Sequence, residues 1–352
     1  MHVQLLHPTD LSARDLDCWT SLAAQQQFRS PYFQPQFTLE VAAVRNDVQI
    51  AKLQFPDGAT GFFPFQRSRR KAVPVGGQLS DAHGILLPDG RCFDWETLLK
   101  KCELSAFQFH YLAADQVPSA RWHPEVDPAA VMNLESGFDA FRDRLESKSV
   151  VSQTDRKARR LARDCGSLRF EWKTDDPTAF RDLIRWKAAQ YEDSAITNVF
   201  DFDWTVQLLQ RLQGRTSPDL QGLLSVLYAD DRAVAVHFGL RSHGVLHQWF
   251  PAYDPELRQH SPGMIHLLEM ARHAEQNDVH RIDLGRMCHY KSRVATDCVN
   301  VAAGSVDLRP IARLVRRGCR RTFDWLRNSR LRVVAKAPGR MLRQMAERRQ
   351  FQ

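Results

Sequence analysis

Apolar positions along the chain follow two rhythms, and the change from one to the other marks the elements. Recurrence every third or fourth residue predicts helices over 15–27, 35–43, 138–145, 152–164, 178–192 and 204–212. Shorter β-rich runs over 48–55 and 60–65 flank Pro56-Asp57-Gly58, which is hairpin grammar. Further strands are expected over 107–112 and 168–172. A meander follows over 223–228, 233–241 and 245–252, its turns marked by Asp230-Asp231 and Ser242-His243-Gly244. Helices and strands interleaved in this way predict an α/β (α+β) chain of mixed sheets flanked by helices.

Length then divides the chain. With 352 residues, two domains are expected. Residues 115–127, with Pro118 and Pro124 among scattered polar residues, read as the linker. The expected division is a first domain over 1–130, a second over 131–308 and a tail over 309–352.

The tail changes the picture of the charge. The net +8 of the whole chain conceals 13 Lys/Arg against two acids from Ile311 onward. The rest of the chain is close to neutral. Ile311, Leu314, Val315, Gly318, Cys319, Thr322, Phe323 and Leu326 alternate with arginines at helical spacing, so a basic amphipathic helix is expected. Such a helix suits a membrane surface or an acidic protein. It equally suits packing on the body with its arginines in solvent. No base-reading motif accompanies it, so nucleic acid is not the expected partner.

Several classes fall away on composition. No apolar run approaches the roughly 18–20 residues of a membrane helix. The N-terminus carries early acids and no signal-peptide core. Seven cysteines, scattered and never paired as C-x-x-C, argue for reduced thiols and against a zinc knuckle. The expectation is a cytoplasmic protein without a metal, with the tail as its route to the inner membrane surface.

Candidate chemistry concentrates over 245–293. A strand there runs through a loop into Ser261-Pro262-Gly263, then a helix, a second strand over 281–285 and a Tyr290-Lys291 pair. A strand feeding a helix through such a turn leaves backbone N–H groups at the helix start, where the dipole also favours an anion. Arg258, Ser261 and Gly263 are the candidate phosphate cradle. Ser at an N-cap and Pro at N1 also make an ordinary helix start. Alternation in the strand puts His247 and Trp249 on one face, so His247 is a candidate general base if that face lines a cleft. Asp81 and His83, in the loop Gly76-Gly77-Gln78-Leu79-Ser80-Asp81-Ala82-His83-Gly84, are candidates for acceptor binding.

Five segments in order carry a family resemblance: SPYFQPQFTLEVAAVR, GFFPFQRSRR, VGGQLSDAHG, QTDRKARRLARDCG and YDPELRQHSPG…DLGRMCHYKSR. Over roughly residues 28–305 they resemble the CelD-like acetyltransferases of bacterial cellulose and exopolysaccharide biosynthesis. Those are tandem GNAT-like proteins related to the FemAB peptidyltransferases. The resemblance implies an acyl-CoA co-substrate, acetyl-CoA foremost, an active C-terminal domain and a degenerate N-terminal one. It implies that backbone groups of Phe250, Ala252 and Tyr253 lie along the cofactor and serve as oxyanion donors. It places Asp283 beside the thioester, Tyr290 as proton donor to the departing thiolate and Lys291 on a substrate carboxylate or phosphate. The acceptor it implies is a sugar or an amino compound. One departure stands out. Pro262 occupies the place of the first glycine of the fold's usual phosphate loop and removes one N–H donor.

Two alternatives remain open at this level. One is a non-catalytic accessory factor of a polysaccharide synthase complex. The other is a FemAB-like transferase drawing on aminoacyl-tRNA.

Overall fold

The Pro56-Asp57-Gly58 turn closes a hairpin. Gly58 takes φ +86°, and its N–H reaches the Phe55 carbonyl at 3.0 Å, a backbone that glycine adopts without strain. The computed structural model describes residues 1–25, 28–88, 90–145, 149–310 and 351. The basic helix expected from Ile311 lies outside the described residues.

The elements in chain order open with β1 (His2–Leu6), α1 (Ala13–Ala23) and α2 (Pro35–Ala42). Next come β2 (Val48–Gln54), β3 (Thr60–Ser68), β4 (Lys71–Val73), α3 (Trp95–Lys101) and β5 (Ala106–Ala113). After β6 (Glu125–Asn133) follow α4 (Gly137–Arg144), α5 (Ser149–Cys165), β7 (Leu168–Glu171), α6 (Pro177–Asp193) and α7 (Asp203–Gln213). The chain continues with β8 (Gln221–Ala229), β9 (Arg232–Ser242), β10 (Val245–Tyr253) and α8 (Pro262–Arg272). Last are β11 (Arg281–Arg286), α9 (His289–Ser292) and β12 (Asp297–Asp307). The run read as a linker ends as β6, whose Asp127 and Pro128 already lie in the strand. β1, β4, α3 and β12 carry too little periodicity to stand out in the sequence.

Two compact units result. The first comprises Met1–Leu22, Val41–Val126 and Ala302–Gln352; the second comprises Ala23–Glu40 and Asp127–Val301. In the first, strands run β1-β2-β3-β4-β5, antiparallel except for the β4–β5 pair. Its core gathers Phe63, Phe65, Trp95, Phe107 and Phe109, with Ala302 and Val306 of β12. In the second, the order is β6-β11-β10-β9-β8-β7, antiparallel except for β10 against β11. This is a mixed α/β fold of sheets flanked by helices. β8 is buried along all but its first residue, as expected of a strand covered on both faces. Among the described residues no helix is long and apolar enough to cross a membrane.

The short N-terminal piece of the second unit is held in two ways. Tyr32 packs its ring against His247 and Trp249, with centroids at 5.0 and 5.8 Å. Glu40, 7 % exposed, accepts from Arg211 Nε at 2.7 Å and also pairs with Arg215. Removing the carboxylate leaves two half-exposed arginines facing a partnerless gap. Glu40→Ala is expected to lower unfolding free energy by about 1–2 kcal/mol, a buried-pair cost discounted for arginine exposure. Urea titration of the two proteins checks this, and an unchanged midpoint would contradict it.

Candidate functional site

β10 and β11 pair in parallel only from Val245↔Arg281 to His247↔Asp283. Beyond His247 the register of β10 on β9 also shifts, resuming at Phe250↔Phe238. The outer part of β10 is therefore laddered to β9 on one edge and not to β11 on the other. Beside that edge lies a cavity of about 530 Å³ lined by residues of α5, α6, β10, α8 and α9. Its polar lining includes Lys157, Lys187, Gln190, Gln248, Arg258, Ser261, Tyr290 and Arg293, and Met264 and Leu267 supply apolar surface. It holds four cations and no acid, which suits a ligand of several negative charges.

The entry to α8 explains how phosphate could be met without the missing glycine. Ser261 sits in the left-handed region at φ 54° and ψ 51°, a conformation that costs a non-glycine residue on the order of 1 kcal/mol. Its side chain does not cap the helix; its hydroxyl instead accepts from Lys157 Nζ at 2.6 Å. The Met264 and Ile265 N–H groups both reach the Ser261 carbonyl. Pro262 has none, so Gly263 carries the one N–H of this turn with no partner among the described residues. A Cβ at Gly263 would stand 3.2 Å from the Tyr253 ring. Side-chain cations thus stand where backbone donors are few. Arg258, exposed and without an ion pair among the described residues, faces the same cavity.

Five of the residues singled out in the sequence meet at this cavity: Tyr253, Arg258, Ser261, Gly263 and Tyr290. Phe250 and Ala252 do not line it; both are almost wholly buried. Asp254 N–H donates to Val234 on β9 at 3.1 Å. Strand alternation turns the Phe250 and Ala252 N–H groups the same way, which leaves Tyr253 N–H on the open edge. His247 is 2 % exposed and packs on Tyr32. Asp283 receives Arg281 Nε at 2.5 Å. Lys291 Nζ donates to the Leu284 carbonyl and lies over the Tyr290 ring at 5.8 Å. Asp81 and His83 belong to the first unit, where His83 is bridged to Leu112 and its N–H meets the Tyr111 carbonyl. Burial, and then the neighbouring His110, hold the His83 imidazole well below its ordinary pKa.

Two titratable groups in the cavity are shifted. Desolvation raises the Tyr290 phenol to about 12 although the residue is 42 % exposed overall, so it stays a neutral donor across physiological pH. Lys187 was not foreseen. Burial first, and the charge of Lys291 second, lower its ammonium to about 8. Its Nζ donates to the Pro251 carbonyl at 3.1 Å and to Gln190 Oε1 at 3.4 Å, and no carboxylate pairs with it among the described residues. Gln248 Oε1 and Gln190 Nε2, also lining the cavity, are buried and without partners there. A signal existed in the sequence. Lys187 stands four residues after Leu183 on the helix face that buries Ala179, Leu183 and Trp186. A lysine in that register is placed against the core.

Behind the cavity, Ser225 Oγ joins His237 Nδ1 at 3.3 Å and His266 Nε2 at 3.2 Å. Burial lowers His266 to about 4; burial, then His266, His247 and Lys187, hold His237 well below the usual imidazole range. Both are neutral packing residues.

Residues 149–292 match the family model described as an acetyltransferase (GNAT) domain. No curated protein matches the chain. Among solved structures, FemX is similar at 9 % identity and a TM-score of 0.55, over 89 % of this chain and 99 % of that one. A conserved protein of unknown function from Bacteroides thetaiotaomicron is similar at 12 % identity and a TM-score of 0.52, over 85 % and 98 %. The C-terminal domain of a protein described as a lysylphosphatidylglycerol synthetase, from Agrobacterium fabrum, gives 11 % and 0.50, over 86 % and 94 %. These likenesses show the fold. The matched span, which holds every residue of the cavity lining except Arg293, is a GNAT acetyltransferase domain, and such a domain implies acyl transfer from an acyl-CoA co-substrate.

The buried histidines set an acid limit. Their folded pKa values lie below the unfolded value near 6.5; for His266, from about pH 6.5 down to about 4, the unfolded chain takes up a proton that the native state refuses. Stability is full above that range and falls on acidification, by roughly 1.4 kcal/mol per pH unit for each such histidine. His266→Gln is expected to lose less stability than the wild type between pH 7 and pH 5 in urea titrations. Equal losses would refute the assignment.

Proposed function

We propose that this GNAT-type acyltransferase moves an acetyl group from acetyl-CoA to the amine or hydroxyl of a sugar or amino compound used in exopolysaccharide or cellulose synthesis. The observation that carries the donor half is the cavity at the start of α8, whose lining has four cations and no acid and whose Gly263 N–H has no partner among the described residues. Lys157, Arg258 and Arg293 would hold the cofactor phosphates, and the Ser261–Gly263 turn would receive the pyrophosphate. The thioester would then run along the open edge of β10 past Tyr253. Tyr290, a neutral phenol at the cavity wall, would give its proton to the departing thiolate. The thioester is already activated, so the work left to the protein is positioning and charge stabilisation. The acceptor class is supported by the five ordered motifs that resemble the CelD-like acetyltransferases.

Calorimetric titration with acetyl-CoA tests the donor site. Lys157→Glu and Arg258→Glu are each expected to weaken binding about 10- to 100-fold, the equivalent of losing one charge-assisted contact of about 1.5–3 kcal/mol. Affinity should also fall with added salt. Gly263→Trp, which fills the turn, is expected to abolish binding. Wild-type affinity in all three variants would sink the reading.

A further inference from the structure

The open edge of β10 lacks a donor where an acyl carbonyl would need one. Asp254 N–H points to Val234 on β9, so by alternation Pro251 and Tyr253 turn their polar edges away from β9. At Tyr253 this edge offers an N–H; at Pro251 it offers none. The Pro251 carbonyl, on the same edge, is the group that Lys187 Nζ reaches at 3.1 Å. A side-chain cation therefore stands beside the one position of the edge that proline has emptied of its donor. Among the described residues no acid pairs with it; its hydrogen-bond partners are the Pro251 carbonyl and the Gln190 amide oxygen. An ammonium withdrawn from water, with no counter-charge among the described residues, is costly to fold, and the cost is recovered when negative charge develops next to it.

Building on the acyltransferase reading, we propose that Lys187 Nζ donates a hydrogen bond to the thioester carbonyl oxygen and holds its developing negative charge, in place of the backbone N–H that Pro251 removes. The acceptor's nitrogen or oxygen lone pair forms the new bond to the carbonyl carbon, and the carbonyl π pair moves onto the oxygen facing Lys187. Collapse restores the C=O bond and breaks the C–S bond. The sulfur leaves as thiolate and ends with one proton, matching the one that the acceptor loses. Lys187 keeps its own proton throughout, so its protonated form is the working form.

The direction of the pH effect follows. Around Lys187 stand His237 on β9, Lys291 on α9 and Tyr191 of its own helix, whose ring lies 5.4 Å from Nζ, and Tyr290 lines the same cavity. Asp201, on the neighbouring Val199–Asp201 turn, accepts from Asn198. With the ammonium lowered to about 8 by burial and Lys291, the donor is present at pH 6.5 and lost as pH rises. A lysine serving as general base would show the opposite dependence, gaining function through the same range.

Isotope-edited infrared spectra of bound acetyl-CoA carrying ¹³C at its carbonyl read this contact without any acceptor. In the wild type at pH 6.5 the carbonyl band is expected below its position in Lys187→Met, and it should move toward that position as pH is raised to 9.5. Calorimetry establishes binding first. If the methionine variant does not bind, the wild-type pH series decides alone. A band that stays put from pH 6.5 to 9.5, or that coincides in the two proteins, overturns the role of Lys187 and leaves the acyltransferase reading intact. Failure of the wild type to bind acetyl-CoA overturns both.

Discussion

The arrangement of the second unit depends on where the parallel pairing of β10 with β11 stops. The ladder ends at His247↔Asp283, and from there β10 keeps only its β9 neighbour. An edge opened in the middle of a buried sheet leaves backbone groups that something must satisfy. Lys187 meets the Pro251 carbonyl, and the α8 entry and α9 border the gap that remains. Cavity, cations and helix start all follow from that one parting of strands.

Electrostatics then decide what the gap can take. Lys157, Lys187, Arg258 and Arg293 line it with no carboxylate in the lining; the first, third and fourth are exposed and raise the local potential for an anion, and the desolvation cost falls on Lys187. The left-handed Ser261 adds local strain at the same spot, and its hydroxyl is held by Lys157 rather than capping α8. Backbone strain and a side chain turned from capping to Lys157 set this turn apart from an ordinary helix start.

Much of this was legible in the sequence, though unevenly. Helices with strong periodicity, such as α5 and α6, stood within a few residues of their expected bounds. The three-residue strand β4 and the strand β12, exposed over much of its first half, have no clear alternation to display. The turn at Ser261-Pro262-Gly263 was readable because its chemistry is local. Lys187 was not, because its meaning comes from β10, more than sixty residues away in the chain. The backbone direction of Phe250 and Ala252 was hidden for a related reason: it depends on a register shift after His247 that composition does not encode. Lys291, expected to meet a substrate carboxylate or phosphate, has its ammonium on the Leu284 carbonyl, a contact that the local sequence does not display.

The central claim is that the start of α8 and the open edge of β10 form the acyl-CoA site. A crystal structure with acetyl-CoA tests it most directly. The account predicts the pyrophosphate at the Gly263 N–H between Lys157 and Arg258, with the thioester lying along β10 toward Lys187. Density for the cofactor elsewhere on the protein, with this cavity filled only by solvent, would contradict it.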